Sequence, residues 1–161
     1  FDSVKRFFYT LNSSVMNIES IKNRLGNLTS ETPPQFGIMT PQHMIEHLTL
    51  TMKLSYGRVK IPEFVPNEKQ LAQKQALLFT DMTFPKGVKA PGLPEQLSDL
   101  RYPDLENAKS ELIKSLMAYS EFFTENPNAQ TFHPRFGPLN HEEWERFHTK
   151  HFEHHLGQFG V

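Results

Sequence analysis

Residues 140–158, NHEEWERFHTKHFEHHLGQ, form the stretch that decides which fold we expect of this chain. At about 100° per residue, its apolar and histidine side chains share one arc of a helix. That arc comprises Trp144, Phe147, His148, His151, Phe152, His155, Leu156 and the following Phe159. The opposite side holds Glu142, Arg146, Lys150 and Glu153. The pattern predicts an amphipathic helix that Asn140 caps, with Glu143 completing a capping box, and that buries imidazole rings in a core.

Two of these histidines are spaced for binding one metal ion. His151 and His155 stand four residues apart, so their rings lie one helical turn apart on the same face. His47, on another predicted helix, also faces the core. Bundles build metal sites from such inward-facing residues, and three imidazoles leave positions open for water or substrate. Zn, Ni, Fe and Co all suit such ligands. Each histidine could instead be a core residue bonded to a carbonyl.

Further helices follow from the same periodicity. Long helices are predicted over residues 3–25, ending near Gly26, over 41–58, starting at the N-cap Thr40, and over 105–125. A shorter helical run covers 68–78, and residues 32–37, 86–94 and 126–139 are predicted to be irregular. No convincing strand pattern is present. We therefore expect a single all-α domain, residues 1–161, built as a four-helix bundle with a long irregular connection between helices two and three.

The same periodicity predicts which side chains of the second and third long helices are buried. The second helix should bury Met44, His47, Leu48, Thr51, Leu54 and Ser55. It should expose Gln42, Glu46, Thr49 and Lys53. The third long helix should bury Leu105, Ala108, Leu112, Leu116, Tyr119 and Phe123.

Composition narrows the classes of function. The 161 residues include fourteen Phe and are 37% hydrophobic, which is typical of a globular domain. Cysteine is absent, so a metal must be held by His, Asp or Glu. The net charge of −1 and the lack of a basic run argue against a nucleic-acid partner. No apolar run reaches the roughly 18 residues of a membrane span, and no signal-peptide pattern is present, so we expect a cytoplasmic protein.

Several other residues are weaker candidates. His148 could be an alternative ligand or a donor behind the ligands, and His43 could supply a fourth ligand. His154, His133 and His141 are expected at the polar edge, in a loop and at the helix cap. Gln158 could orient a ligand histidine or simply pack. Arg58 and Arg135 could attract an anionic substrate or be ordinary surface residues, and Glu46 and Glu153 are expected to be surface charges. The HEEWE sequence at 141–145 is not a zinc-protease HExxH motif, because Glu145 replaces the second histidine.

Two segments carry a resemblance to a known family. HFEHHLGQ, residues 151–158, resembles the HxxHHxGQ signature of the DinB-like superfamily. MTPQHMIEHL, residues 39–48, with Phe36-Gly37 upstream, resembles its partner element. The resemblance implies a four-helix bundle in up-down-down-up order, often dimeric, with one divalent ion on His47, His151 and His155. Characterised members are metal-dependent thiol S-transferases and a thiol-cofactor-dependent isomerase.

Three hypotheses for function follow. The leading one is an enzyme in which the ion activates water or a low-molecular-weight thiol, as a transferase or hydrolase acting on a small molecule. The alternative is a non-catalytic binding bundle, either stapled by the ion or free of metal. The third is a pH-responsive domain, because the chain has eight histidines.

Overall fold

The computed structural model describes residues 17–86 and 97–161, and this part of the chain is mostly helical. Its five helices are α1 (Ile18–Leu25), α2 (Pro41–Ser55), α3 (Glu68–Phe79), α4 (Leu105–Glu125) and α5 (His141–Gln158). Two short strands, β1 (Thr131–His133) and β2 (Gly137–Leu139), precede α5. The helical class is thus confirmed, whereas the four-helix bundle stays a prediction. None of the described helices is long and apolar enough to cross a membrane.

Capping side chains fix the starts of the two helices that matter most for function. The Thr40 hydroxyl accepts a hydrogen bond from the His43 amide, and Pro41 occupies the first turn of α2. Asn140 and Glu143 form the predicted capping box of α5. The end of α2 was predicted three residues too late. The helix stops at Ser55 because the chain turns at Gly57, whose φ of 75° is left-handed.

The other predicted helices agree with the structure where it describes them. α1 covers only the end of the predicted helix 3–25, and residues 1–16 lie outside the described part. Gly26 follows α1 as predicted, its amide bonding to the Lys22 carbonyl. The predicted runs 68–78 and 105–125 correspond to α3 and α4. Of the predicted irregular stretch 86–94, only Lys86 is described.

The expectation that residues 126–139 contain no strand is wrong. β1 and β2 pair as an antiparallel hairpin, with Phe132 opposite Pro138. Each strand has three residues, which is too short for an alternating pattern to be visible in the sequence. The Thr131 hydroxyl donates to the Ser55 carbonyl and accepts from the Trp144 indole nitrogen. The hairpin is therefore tied to both α2 and α5.

The core lies where α2 meets α4 and α5. Fully buried side chains come from all three helices, among them Met44, Leu48, Leu112, Leu116, Trp144 and Leu156. The predicted inner faces of α4 and α5 are confirmed. On α2 the buried arc is wider than predicted. Thr49 was expected outside but is 2% exposed, with its hydroxyl bonded to the Ile45 carbonyl, because neighbours cover α2 on more than one side.

A segment that we call the strap, residues 77–84, runs from the end of α3 across α5. The Lys150 ammonium donates to the carbonyls of Leu77, Thr80 and Met82. The bond to Leu77 satisfies one of the carbonyls that the end of α3 leaves without a helical partner. The strap is thereby fixed to α5 and brings Phe84 onto the histidine face of that helix.

Candidate metal centre

Helices α2 and α5 bring the three predicted ligands together, His47 from α2 and His151 and His155 from α5. Their candidate ligand atoms all lie within 4.8 Å of one another. The Nε2 atoms of His47 and His151 are 3.0 Å apart. The three ring centres are separated by 4.7 to 4.9 Å. We call these residues the triad.

The hydrogen bond at His155 Nδ1 leaves Nε2 of the same ring free to bind a metal. His155 Nδ1 lies 3.0 Å from Gln158 Oε1, while Gln158 Nε2 donates to the Phe36 carbonyl at 2.9 Å. An amide oxygen only accepts, so Nδ1 carries the proton and the Nε2 lone pair of His155 faces the triad. Of the two roles considered for Gln158, this geometry favours orienting the ligand.

The loop at Phe36 is fitted closely to Gln158. The Gln35 amide donates to the Gln158 carbonyl at 2.7 Å. Gly37 has a φ of 77°, and a Cβ there would lie 2.8 Å from Gln158 Nε2. Only glycine combines this backbone conformation with so close an approach. The loop and the orientation of His155 are therefore linked through one amide side chain.

The triad histidines are held in the neutral form that binds metals. Burial, with the charge of His154, lowers the pKa of His47 to about 4. Burial, with the charge of His47, lowers the pKa of His155 to about 3, although the bond to Gln158 acts the other way. Burial first, and neighbouring histidines second, hold the pKa of His151 well below its usual value. Three neutral nitrogen donors that converge in this way fit a divalent ion of the Zn, Ni, Fe or Co type.

Aromatic side chains surround the triad. Sequence analysis did not identify two residues of this surrounding region, Phe84 and Lys86. Phe84 packs against His151 and His154, with ring centres 5.6 Å apart in both cases. Phe36 packs against His154 at 5.2 Å, and Lys86 Nζ lies 5.9 Å from the Phe36 ring centre. Phe84 and Lys86 follow α3 in a Pro- and Gly-rich stretch whose pattern gives no sign of their position.

The expectation for His154 is only partly right. It is not simply solvated, because Phe36 and Phe84 cover part of its ring. Burial, and then the charge of Lys86, lower its pKa.

His43 is not a fourth ligand. Its Nδ1 is bonded to the Thr40 hydroxyl and its Nε2 to the Ser98 carbonyl at 2.9 Å, so both ring nitrogens are occupied.

His148 lies outside the triad, in a second polar group that we call the upper cluster: Tyr119, His141, Glu145 and His148. Its ring stacks on Trp144 and meets Tyr119 edge-on, both at 5.2 Å. Within the described residues, neither nitrogen of His148 has a hydrogen-bond partner. Burial, followed by the Glu145 charge, raises the pKa of Tyr119. His141 reaches Glu145 at 3.2 Å and stacks on Phe123.

The remaining candidates have partners elsewhere. His133 Nδ1 accepts from the amides of Arg135 and Phe136, so this histidine closes the hairpin turn. The Arg135 guanidinium donates to Gln73, and the pKa of Glu111 is lowered mainly by its hydrogen bond from Lys53, with a smaller contribution from the charge of Arg58. Glu46 accepts from the Arg101 amide and Gln42, and Glu153 pairs with Arg24.

Comparison with known proteins gives a match to a protein family. Neither the curated proteins nor the solved structures contain a match to this chain. A family model described as "Protein of unknown function (DUF1569)" matches residues 23–160, a stretch that includes both helices of the triad. The chain therefore belongs to the family described as DUF1569.

Proposed function

We propose that this protein is a metal-dependent enzyme that binds one divalent ion on His47, His151 and His155. The observation that carries the proposal is the convergence of three neutral imidazoles from two helices, with ligand atoms within 4.8 Å of one another. Neutral imidazoles buried together need a shared partner for their lone pairs, and a divalent ion meets that need for all three.

The reaction class follows from what the ligand set leaves open. Three protein ligands leave at least one coordination position for a small molecule, which is typical of catalytic rather than structural sites. A bound divalent ion supplies Lewis acidity and lowers the pKa of a coordinated water or low-molecular-weight thiol. We therefore propose transfer or hydrolysis on a small-molecule substrate.

The chain's own residues prepare this site. Gln158 holds the His155 proton on Nδ1, so that Nε2 stays available. Phe84 and Phe147 cover His151 and limit the access of water to it. His47 is the most exposed of the three, so the substrate is expected to approach from the side of α2.

The wider assignments belong to the same proposal. The HxxHHxGQ-like motif at 151–158 supports a DinB-like four-helix bundle with that family's frequent dimeric state. Up-down-down-up order, a homodimer and a cytoplasmic location stay predictions, as does the absence of a nucleic-acid partner.

The experiment is an activity screen of protein reconstituted separately with Zn, Ni, Fe(II) and Co. Each form is assayed for thiol transfer to electrophiles and for hydrolysis of small esters and amides. We expect turnover with at least one ion, lost in His47→Ala and kept in His43→Ala, whose ring is bonded to Thr40 and Ser98. Binding of no ion, or equal activity in His47→Ala, would contradict the proposal.

A second candidate is a non-catalytic bundle in which the ion only joins α2 to α5. The low exposure of His151 (6%) and His155 (8%) favours it, because a stapling ion needs no access for substrate. In that case the ion should raise the unfolding temperature, but no small ligand should change the visible spectrum of the Co(II) form.

A further inference from the structure

The charge balance around the triad indicates which substrates the site selects. The three histidines are neutral donors, so a bound divalent ion would keep its charge of +2 in a largely buried place. Within the described residues, no carboxylate is hydrogen-bonded to a triad histidine. The acidic side chains nearest to the ligands along the chain have other partners: Glu46 accepts from the backbone amide of Arg101 and from the Gln42 side chain, and Glu153 pairs with Arg24.

The rim of the site adds a positive charge. Lys86 Nζ lies over the ring of Phe36, and Phe36 packs on His154, the residue next to the ligand His155. The Lys86 side chain is exposed, and it has no salt bridge within the described residues. The anion-attracting role first considered for Arg58 or Arg135 therefore falls to Lys86.

The walls beside this charge are aromatic and firmly anchored. Phe36 is held by the bond from Gln158 to its carbonyl. Phe84 follows the part of the strap that Lys150 holds, and it packs on His151. Both rings are partly exposed, so they offer apolar surface to a ligand.

We propose that the substrate of this site is a small organic anion with an apolar body. Its charged group is attracted by the uncompensated ion and by Lys86, and its body packs on Phe36 and Phe84. This inference rests on the proposed function, because it requires the ion on the triad.

Three probes separate the parts of the inference. Phenylacetate has the charge and the apolar body, phenylacetamide has the body without the charge, and acetate has the charge without the ring. Each is titrated into the Zn-loaded protein by calorimetry and into the Co(II) form by visible spectroscopy. We expect phenylacetate to bind at least about tenfold more tightly than either of the others, because an uncompensated charge and apolar contact act together.

Charge reversal at the rim tests Lys86. Lys86→Glu should weaken phenylacetate binding by about threefold to tenfold and leave phenylacetamide unchanged, because an exposed charge contributes modestly. Lys69→Glu is the matched control, since Lys69 is exposed at the opposite end of α3 from the strap. Its affinity for phenylacetate should equal that of the wild type.

The outcomes distinguish this inference from the proposed function. Equal binding of phenylacetate and phenylacetamide to metal-loaded protein would overturn the selection of anions alone. Acetate binding as tightly as phenylacetate would overturn the role of the aromatic walls. An identical effect of Lys86→Glu and Lys69→Glu would remove Lys86 from the site. A wild-type protein that takes up no ion, measured by elemental analysis, would instead overturn the proposed function and this inference with it.

Discussion

The two halves of helix α5 both bury histidines, but only one half assembles a candidate site. In the C-terminal half, His151 and His155 meet His47 of α2, with two Nε2 atoms 3.0 Å apart. In the N-terminal half, His148 faces Tyr119 of α4 and stacks on Trp144, and its nitrogens have no partner within the described residues. Helical periodicity accounts for burial in both halves. Convergence depends on what the facing helix contributes.

The two halves also differ in how their polar atoms are supported. His155 has its second nitrogen fixed by Gln158, which is in turn fixed to the Phe36 carbonyl. In the upper cluster, both ring nitrogens of His148 lack partners in the described part. The triad is thus organised for a ligand, whereas His148 is a buried histidine whose ring nitrogens are unsatisfied. His151 Nδ1 is the exception on the triad side, since it too lacks a partner there.

The largest expected difference concerns metal removal. An ion that binds only the folded chain, at a free concentration a thousand times its dissociation constant, adds about 4 kcal/mol of stability. For a chain of this size that corresponds to roughly 8–16 °C in the unfolding temperature. Excess EDTA should therefore lower the unfolding temperature of the Zn-loaded wild type by about this amount. The measurement is differential scanning calorimetry, and His47→Ala should show no response to EDTA. If EDTA also leaves the unfolding temperature of the wild type unchanged, the triad, like the upper cluster, is a group of buried histidines that holds no metal ion.

Lowering the pH should decrease the free energy of unfolding through His148 of the upper cluster. Burial, with the charge of His133 second, lowers the pKa of His148 to about 3 in the folded chain. In the unfolded chain, His148 therefore binds a proton as the pH falls through about 6.5. In the folded chain it does so only near pH 3. The stability from this group is complete above pH 6.5 and falls by roughly 1.4 kcal/mol per pH unit as the pH drops from there towards 3.

The check is urea unfolding of metal-free protein between pH 6.5 and 4.5, wild type beside His148→Leu. The variant should lose roughly 2.3 kcal/mol less than the wild type over this range. Parallel curves for the two proteins would show that His148 has a near-normal pKa in the folded chain.

An effect of intermediate size on metal affinity is expected at Gln158, which is hydrogen-bonded to the ligand His155. Gln158→Leu removes the acceptor of the His155 proton, and the loss of such a partner weakens metal binding by about 10- to 100-fold. Competition with a chromophoric chelator measures the affinity. Gln158→Glu keeps an acceptor for the His155 proton but loses the donor to the Phe36 carbonyl, so it should recover only part of the affinity. If Gln158→Leu binds metal as tightly as the wild type, the amide only packs.

The smallest effect is expected for His148→Leu at pH 7.5. Replacing a buried polar ring that has no partner by an apolar side chain removes a desolvation penalty and opens a small cavity, and these contributions oppose each other. The free energy of unfolding should change by less than about 1 kcal/mol. A loss of 3 kcal/mol or more, roughly that of a broken buried network, would show that His148 has a strong partner.

Local sequence signals predicted the helices and the inward-facing positions of the triad histidines, because both depend on the phase of single helices. Thr40 and Asn140 mark helix starts through their own side chains, and His151 and His155 share a face whatever packs against them. The position of His43 could not be predicted, since its partner Ser98 lies 55 residues away in the sequence. Phe84 and the carbonyls bound by Lys150 depend in the same way on tertiary contacts of the strap.

The most direct test of the central claim is the metal content of untagged protein, measured by elemental analysis after reconstitution and removal of free ions. Wild type, His151→Ala and His148→Leu are compared, so that one histidine from each half of α5 is removed. We predict about one ion per chain in the wild type and in His148→Leu, and none in His151→Ala, because three converging imidazoles are needed to hold it. A wild type without an ion, or equal metal content in wild type and His151→Ala, would contradict the assignment of the triad as a metal centre.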